Sequence, residues 1–167
     1  MKTHIIIEFH RLLKIIMKSG WLSDALSSLD PTISTLSIKS PSEDDPKSSA
    51  LRISAMSDTG SLEFDFPTSS TLNDDGPIDS IQRVVNVDEK YSANHLTLAL
   101  KALQSSFKTS LRINNEGILS LQMMVIDAHK KQSFIDIVVS EAITTTILKI
   151  PNISKQCRPQ DSDELDD

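Results

Sequence analysis

Five carboxylates, Asp74, Asp75, Asp79, Asp88 and Glu89, are the side chains best suited to chemistry in this chain. Converging at strand ends, such a set could hold divalent ions and activate water against a phosphodiester. Here they fall in loop-like sequence with no base, nucleophile or metal partner at a useful spacing, so no catalytic centre is expected from them. The histidines His4, His10, His95 and His129 are scattered and form no HExxH or comparable ligand spacing. They read as solvated or half-buried structural residues. Cys157 stands alone; it excludes an intramolecular disulfide and a cysteine metal site, and fits a reducing compartment. The four glycines fall at turns or helix ends and build no phosphate-cradling loop. These residue types predict a protein without catalysis, cofactor, bound metal or small-molecule substrate.

What remains is a scaffold for contacts. At 167 residues with 38% apolar content, the chain is long enough for one domain with a real core, built mostly of Leu, Ile and Val because only 4% is aromatic. The net charge of −6 argues against tight nucleic-acid binding over the whole surface, though not against basic residues gathered on one face. The amino terminus is basic and apolar, but its run Ile5, Ile6, Ile7 is cut by Glu8, His10 and Arg11. That run is too short for a secretory or membrane segment, and a soluble protein is expected.

Element signals occur twice in the same order: strand, helix, then strands joined by tight turns. The first copy predicts a strand over 12–18, a helix over 20–29 and strands over 33–39, 50–57 and 61–66. Ser19 is the expected N-cap. Leu22, Ala25, Leu26 and Leu29 form one helical stripe, and Asp30-Pro31 stops the helix. Strand residues 32–38 alternate with one slip in register. Leu51, Ile53 and Ala55 alternate with Arg52 and Ser54, Asp58-Thr59-Gly60-Ser61 makes a hairpin turn, and Leu62, Phe64 and Phe66 return against Glu63 and Asp65.

The second copy predicts a strand over 81–87, a helix over 93–105 capped by Ser92 or Asn94, and strands over 107–114, 118–126 and 133–139. Residues 41–49 are a surface loop, and 67–80, rich in Ser, Thr, Asn, Asp, Gly and Pro, are a linker. Two β-α-β-β-β units, 12–66 and 81–139, are expected to make one α+β domain, 12–139. In it, a curved antiparallel sheet carries two helices on one face. Residues 1–11 form an N-terminal extension without an assigned element. Residues 140–167 form an irregular extension in which 143–150 could add a strand and 161–167 are an acidic tail expected to be disordered.

The segments KIIMKSGWLSDALSSLD (14–30) and SLRINNEGILSLQMM (110–124) resemble the Rad-one subunits of the heterotrimeric, PCNA-like checkpoint clamp called nine-one-one. LRISAMSDTGSLEFDFP (51–67) and the strand at 133–139 resemble the same family, and the segments follow its order from about residue 14 to 139. The likeness is to the carboxy-terminal of the family's two domains, and 141–156 has no counterpart. The resemblance implies a sliding-clamp domain in a nuclear, non-enzymatic subunit of a DNA-damage checkpoint ring. That ring has two other clamp-like subunits and a clamp loader, encircles double-stranded DNA without reading sequence, and recruits checkpoint and repair factors.

It also implies roles for residues. Helices line the hole in such a ring, so Lys18 at the mouth of the first helix, Lys101 on the second and Lys108 just beyond it would face phosphates, with Arg11 and Lys14 as weaker choices. The outward positions of the first helix, Ser23, Asp24, Ser27 and Ser28, weigh against strong phosphate contact. The edge Ser61, Leu62, Glu63, Phe64, Asp65 and Phe66 would pair with a neighbouring subunit. Strand 133–139 would pair with the family's first domain. The alternative is a stand-alone protein-binding module of clamp fold that never encircles DNA.

Overall fold

The computed structural model describes residues 11–41, 49–68 and 76–140. Expectations for the N-terminal extension, most of the 41–49 loop, the middle of the linker and the C-terminal extension with its acidic tail lie outside the described residues. The elements run β1 (Arg11–Lys18), α1 (Ser19–Ser27), β2 (Thr35–Ser40), β3 (Leu51–Ser57), β4 (Gly60–Phe66), β5 (Ile78–Arg83), β6 (Val87–Ser92), α2 (Ala93–Thr97), α3 (Leu100–Ser105), β7 (Ser106–Asn114), β8 (Leu119–Ile126) and β9 (Gln132–Val139). Among the described residues no helix is long and apolar enough to cross a membrane.

The strands form two sheets rather than the single expected one, in the orders β5-β1-β7-β8-β9 and β4-β3-β2-β6. Every ladder between these strands is antiparallel. The two orders share one logic. The meander β2-β3-β4 is flanked by β6, the strand that leads into the helices of the second half. The meander β7-β8-β9 is flanked by β1, the strand that opens the first. The strand that precedes the helices in each half, β1 or β6, thus lies beside the other half's meander, while β5 edges the sheet of β1. The registers match this exchange: Leu13 lies opposite Ile113 and Ile15 opposite Leu111, while Leu36 lies opposite Tyr91 and Ser40 opposite Val87.

Alternation decides which face turns inward. Leu13, Ile15 and Met17 of β1 are fully buried with Leu111, Ile113, Leu121 and Met123, and Leu36, Ile38, Leu51 and Ile53 fill the same role in the second sheet. Against them pack Leu22, Ala25 and Leu26 of α1, and Leu96, Ala99 and Leu103 of the second helical segment; all belong to one contiguous core. The helices pack on each other, α1 against α3, and on the apolar side of the strands. Burial of each large aliphatic is worth about 1.5–3 kcal/mol relative to exposure, so this cluster dominates the stability.

Three expectations are corrected. The strand expected over 81–87 is the end of β5, a turn at 84–86, and the first residue of β6. The helix expected over 93–105 breaks at Leu98, which is 74% exposed. Before the break, the Thr97 hydroxyl donates back to the Asn94 carbonyl at 2.9 Å, a contact that bends helices. Ser19 does not cap α1: Lys18 holds the N-cap position with no side-chain cap bond, and Ser19 Oγ is buried against Thr109 Oγ1 at 2.8 Å. Ser92 sits at the α2 N-cap position, likewise without a side-chain bond. Elsewhere the slip near residue 33 has a simple cause. Ile33 lies before β2, in the turn where its N–H donates to the Asp30 carbonyl at 3.0 Å.

Side-chain bonds at a turn lock the two sheets together. Asn114 Oδ1 accepts from the N–H groups of Glu116 and Ile118 at 3.0 and 2.9 Å, and Gly117 takes φ +70°, a left-handed conformation that glycine adopts without strain. The buried Tyr91 hydroxyl on β6 donates to the Gly117 carbonyl at 2.9 Å, tying the second sheet to the β7–β8 turn of the first.

Candidate functional site

Strand β4 closes one side of the four-stranded sheet and pairs only with β3 among the described strands. Its hairpin loop is the two residues Asp58 and Thr59, closed by the pair Ser57 and Gly60. A two-residue loop makes its closing pair a hydrogen-bonded one, and such pairs then alternate along the ladder. The N–H groups of Leu62, Phe64 and Phe66 therefore point to β3, and those of Ser61, Glu63 and Asp65 point to the open edge. Side chains follow the same parity: Phe66 is buried, Leu62 and Phe64 are half-buried, and Ser61, Glu63 and Asp65 are exposed. The strand is fixed from within, and among the described residues no strand pairs with its outer backbone.

The two acidic residues of this edge differ. Asp65 is tied inward, accepting from Arg52 at 2.6 and 3.2 Å and from the Ser49 hydroxyl at 2.7 Å. The Arg52 bond foremost, then the Ser49 bond, holds its carboxyl below the usual carboxylate range. Glu63 is left as the outward charge that discourages indiscriminate pairing. At the opposite end of the other sheet, β9 is also an edge, with Phe134, Ile135 and Val138 exposed.

The three lysines expected to face phosphates do not share a surface. Lys101 is exposed on α3, in the helical layer. Lys18 and Lys108 are direct cross-strand partners on β1 and β7, on the sheet face turned away from the core residues Met17 and Thr109. Lys108 Nζ is 2.8 Å from an Asp79 carboxylate oxygen. On the helices, exposed positions include Trp21, Asp24 and Ser27 on α1 and Asn94, His95, Lys101 and Gln104 on α2 and α3, while Ser23 is buried rather than outward. That layer is close to neutral.

The positive charge gathers on the other side. Lys14 lies opposite Arg112 just as Lys18 lies opposite Lys108, so two like-charged pairs stack along the β1–β7 ladder with Ile16 and Ser110 between them. Arg112 reaches Gln122 and, at 3.2 Å, the Ser110 hydroxyl. The alternations Lys14-x-Ile16-x-Lys18 and Lys108-x-Ser110-x-Arg112 were present in the sequence, but only the pairing of β1 with β7 joins them. Among the described residues no group of three or more His, Cys, Asp or Glu could hold a metal ion; Asp74 and Asp75 lie outside those residues.

Comparison with known proteins places the chain. The family described as repair protein Rad1/Rec1/Rad17 matches residues 6–125. The DNA damage checkpoint control protein rad1 of Schizosaccharomyces pombe is 35% identical over 126 residues, 74% of this chain and 36% of that protein. The human cell cycle checkpoint protein RAD1 is 35% identical over 123 residues, 74% of this chain and 40% of that protein. A relative in Mycosarcoma maydis, the DNA repair exonuclease REC1, is 36% identical over 89 residues, 51% of this chain and 19% of that protein. The match thus spans about two fifths or less of each of these relatives.

Proposed function

The chain belongs to the Rad1/Rec1/Rad17 family of repair proteins, and on that premise we propose that it is a non-enzymatic subunit of a DNA-damage checkpoint clamp. In this reading it forms a heterotrimeric ring with two other clamp-like subunits, is opened by a clamp loader, encircles double-stranded DNA in the nucleus and recruits checkpoint and repair factors. The names of its fission-yeast and human relatives as checkpoint proteins support this role. The observation that carries it is β4, a strand held by one neighbour with the N–H groups of Ser61, Glu63 and Asp65 directed outward. Such an edge recognises another strand through main-chain bonds, the contact a ring of sheets is built from. The helical layer supplies Lys101 as its phosphate contact, and the near-neutral remainder makes that contact weak and permissive of sliding.

The near-neutral helical layer also favours the second reading, a protein-binding module of the same fold that does not encircle DNA. Co-expression with two different clamp-like subunits separates the two readings. A complex containing one copy of each subunit supports the ring, and capture of neither partner supports the module. The exonuclease name of the REC1 relative sets a further test. Magnesium-dependent cleavage of labelled DNA that is lost in Asp79→Asn would overturn the non-enzymatic reading.

A further inference from the structure

We propose that the face of the five-stranded sheet turned away from the helices binds single-stranded nucleic acid. The paired rows Lys14/Arg112 and Lys18/Lys108 place four cations on two adjacent strands of an acidic chain. Like charges directly opposite on neighbouring strands destabilise a sheet. Asp79 answers Lys108 from within the chain, and Asp136 stands on the same face opposite Gln122. Among the described residues the four cations outweigh these carboxylates, and an anionic chain complements the balance. The rows are four residues apart on β1, about 13 Å at strand rise, so a phosphate backbone running along the strand meets both.

Between and beside the rows lies a depression of about 220 Å³, lined by Lys14, Ile16, Lys108, Arg112, Met124 and Phe134. Phe134 is 58% exposed at its rim. Phe107 is 59% exposed, with Lys108 Nζ 6.0 Å from its ring centroid. Cations that track a backbone beside bare aromatic rings on which bases can stack are the features of single-strand sites. An acidic peptide would use the cations and leave the two rings without a role. A duplex keeps its bases stacked on one another and could not use them either. The Lys108–Asp79 ion pair is partly exposed and contributes little to stability, so it yields to a phosphate without cost to the fold. This surface lies on the other sheet from β4.

The test is fluorescence anisotropy of a labelled twenty-nucleotide oligothymidylate titrated with the whole chain at two salt concentrations. The double variant Lys14→Glu/Arg112→Glu is expected to bind at least tenfold more weakly and with a shallower salt dependence. Phe134→Ala is expected to bind about tenfold more weakly. Lys90→Glu, on the outer face of the other sheet, leaves binding unchanged. Lys14→Gln/Arg112→Gln, with thermal melts of every variant, separates charge loss from misfolding. Binding unaffected by the Lys14/Arg112 pairs in folded protein overturns the proposal, as does binding lost only in Lys101→Glu. Displacement of the oligonucleotide by hexaglutamate at equal charge concentration overturns it in favour of an acidic peptide.

Discussion

Replacing Glu63 by proline separates the two sides of β4. The Glu63 N–H faces the open edge, so proline there removes no β3–β4 bond, and edge strands accept it in that orientation. Loss of chain entropy in the unfolded state offsets the modest backbone adjustment, and the stability change is expected to stay within about 1 kcal/mol. Toward a partner strand the effect is large. The edge offers the N–H and C=O groups of Ser61, Glu63 and Asp65, each bond worth about 0.5–1.5 kcal/mol net. Glu63→Pro deletes the central donor and leaves a partner carbonyl unsatisfied, which costs about 1–3 kcal/mol, or about 5- to 150-fold in affinity. Leu62→Pro, one residue away, removes a bond to β3 together with a half-buried side chain and should destabilise the fold by about 2–4 kcal/mol. Thermal melts and surface-plasmon titration against the two clamp-like subunits measure both quantities. Unchanged affinity for both subunits in a folded Glu63→Pro protein refutes the edge as a contact. Equal destabilisation by the two prolines refutes the alternation on which the reasoning stands.

Tyr91→Phe should lower stability by about 1–2 kcal/mol, because the Gly117 carbonyl loses a buried donor; in a domain of this size that is about 4–8 °C in melting temperature, read by circular dichroism. Lys130 holds φ +61° in the β8–β9 turn, so Lys130→Gly relieves left-handed strain and should stabilise by about 0.5–1 kcal/mol in a denaturant titration. Asp65, whose carboxyl is held below its ordinary range chiefly by Arg52, contributes stability that is fully present above the unfolded carboxylate value of about 4. That contribution is lost as pH falls through the lower folded value. Arg52→Ala should flatten this acid limb in melts taken from pH 6 to pH 2, with little effect at neutral pH beyond the loss of a surface ion pair.

Much of this architecture was legible in the residues. Leu51, Ile53 and Ala55 against Leu62, Phe64 and Phe66, with the short turn between them, specify the β3–β4 hairpin and hence the edge. Of the stripe Leu22, Ala25, Leu26 and Leu29, the first three are buried on α1, while Leu29 lies half-buried past its end at Ser27. The 81–87 region misleads because Val84 and Val85 are apolar and β-branched yet lie 73% and 47% exposed in a turn, while β5 and β6 are largely polar strands. Periodicity reports one buried face and is silent where a strand buries only Val87 and Tyr91. The division into two sheets was out of reach for another reason. It arises from the exchange of β1 and β6 between halves, a long-range pairing with no local signature. The lysines failed to group for the same cause: Lys18 and Lys108 are ninety residues apart, and only the β1–β7 ladder reveals that they neighbour each other and not Lys101.

Amide hydrogen exchange on the chain, alone and mixed with the two clamp-like subunits, reads the proposed contact residue by residue. The account predicts that the N–H groups of Ser61, Glu63 and Asp65 exchange rapidly alone and become protected in the mixture, while those of Leu62, Phe64 and Phe66 are slow throughout. Fast exchange at all three outward positions in a mixture where the chain is bound would contradict it and place the assembly contact elsewhere.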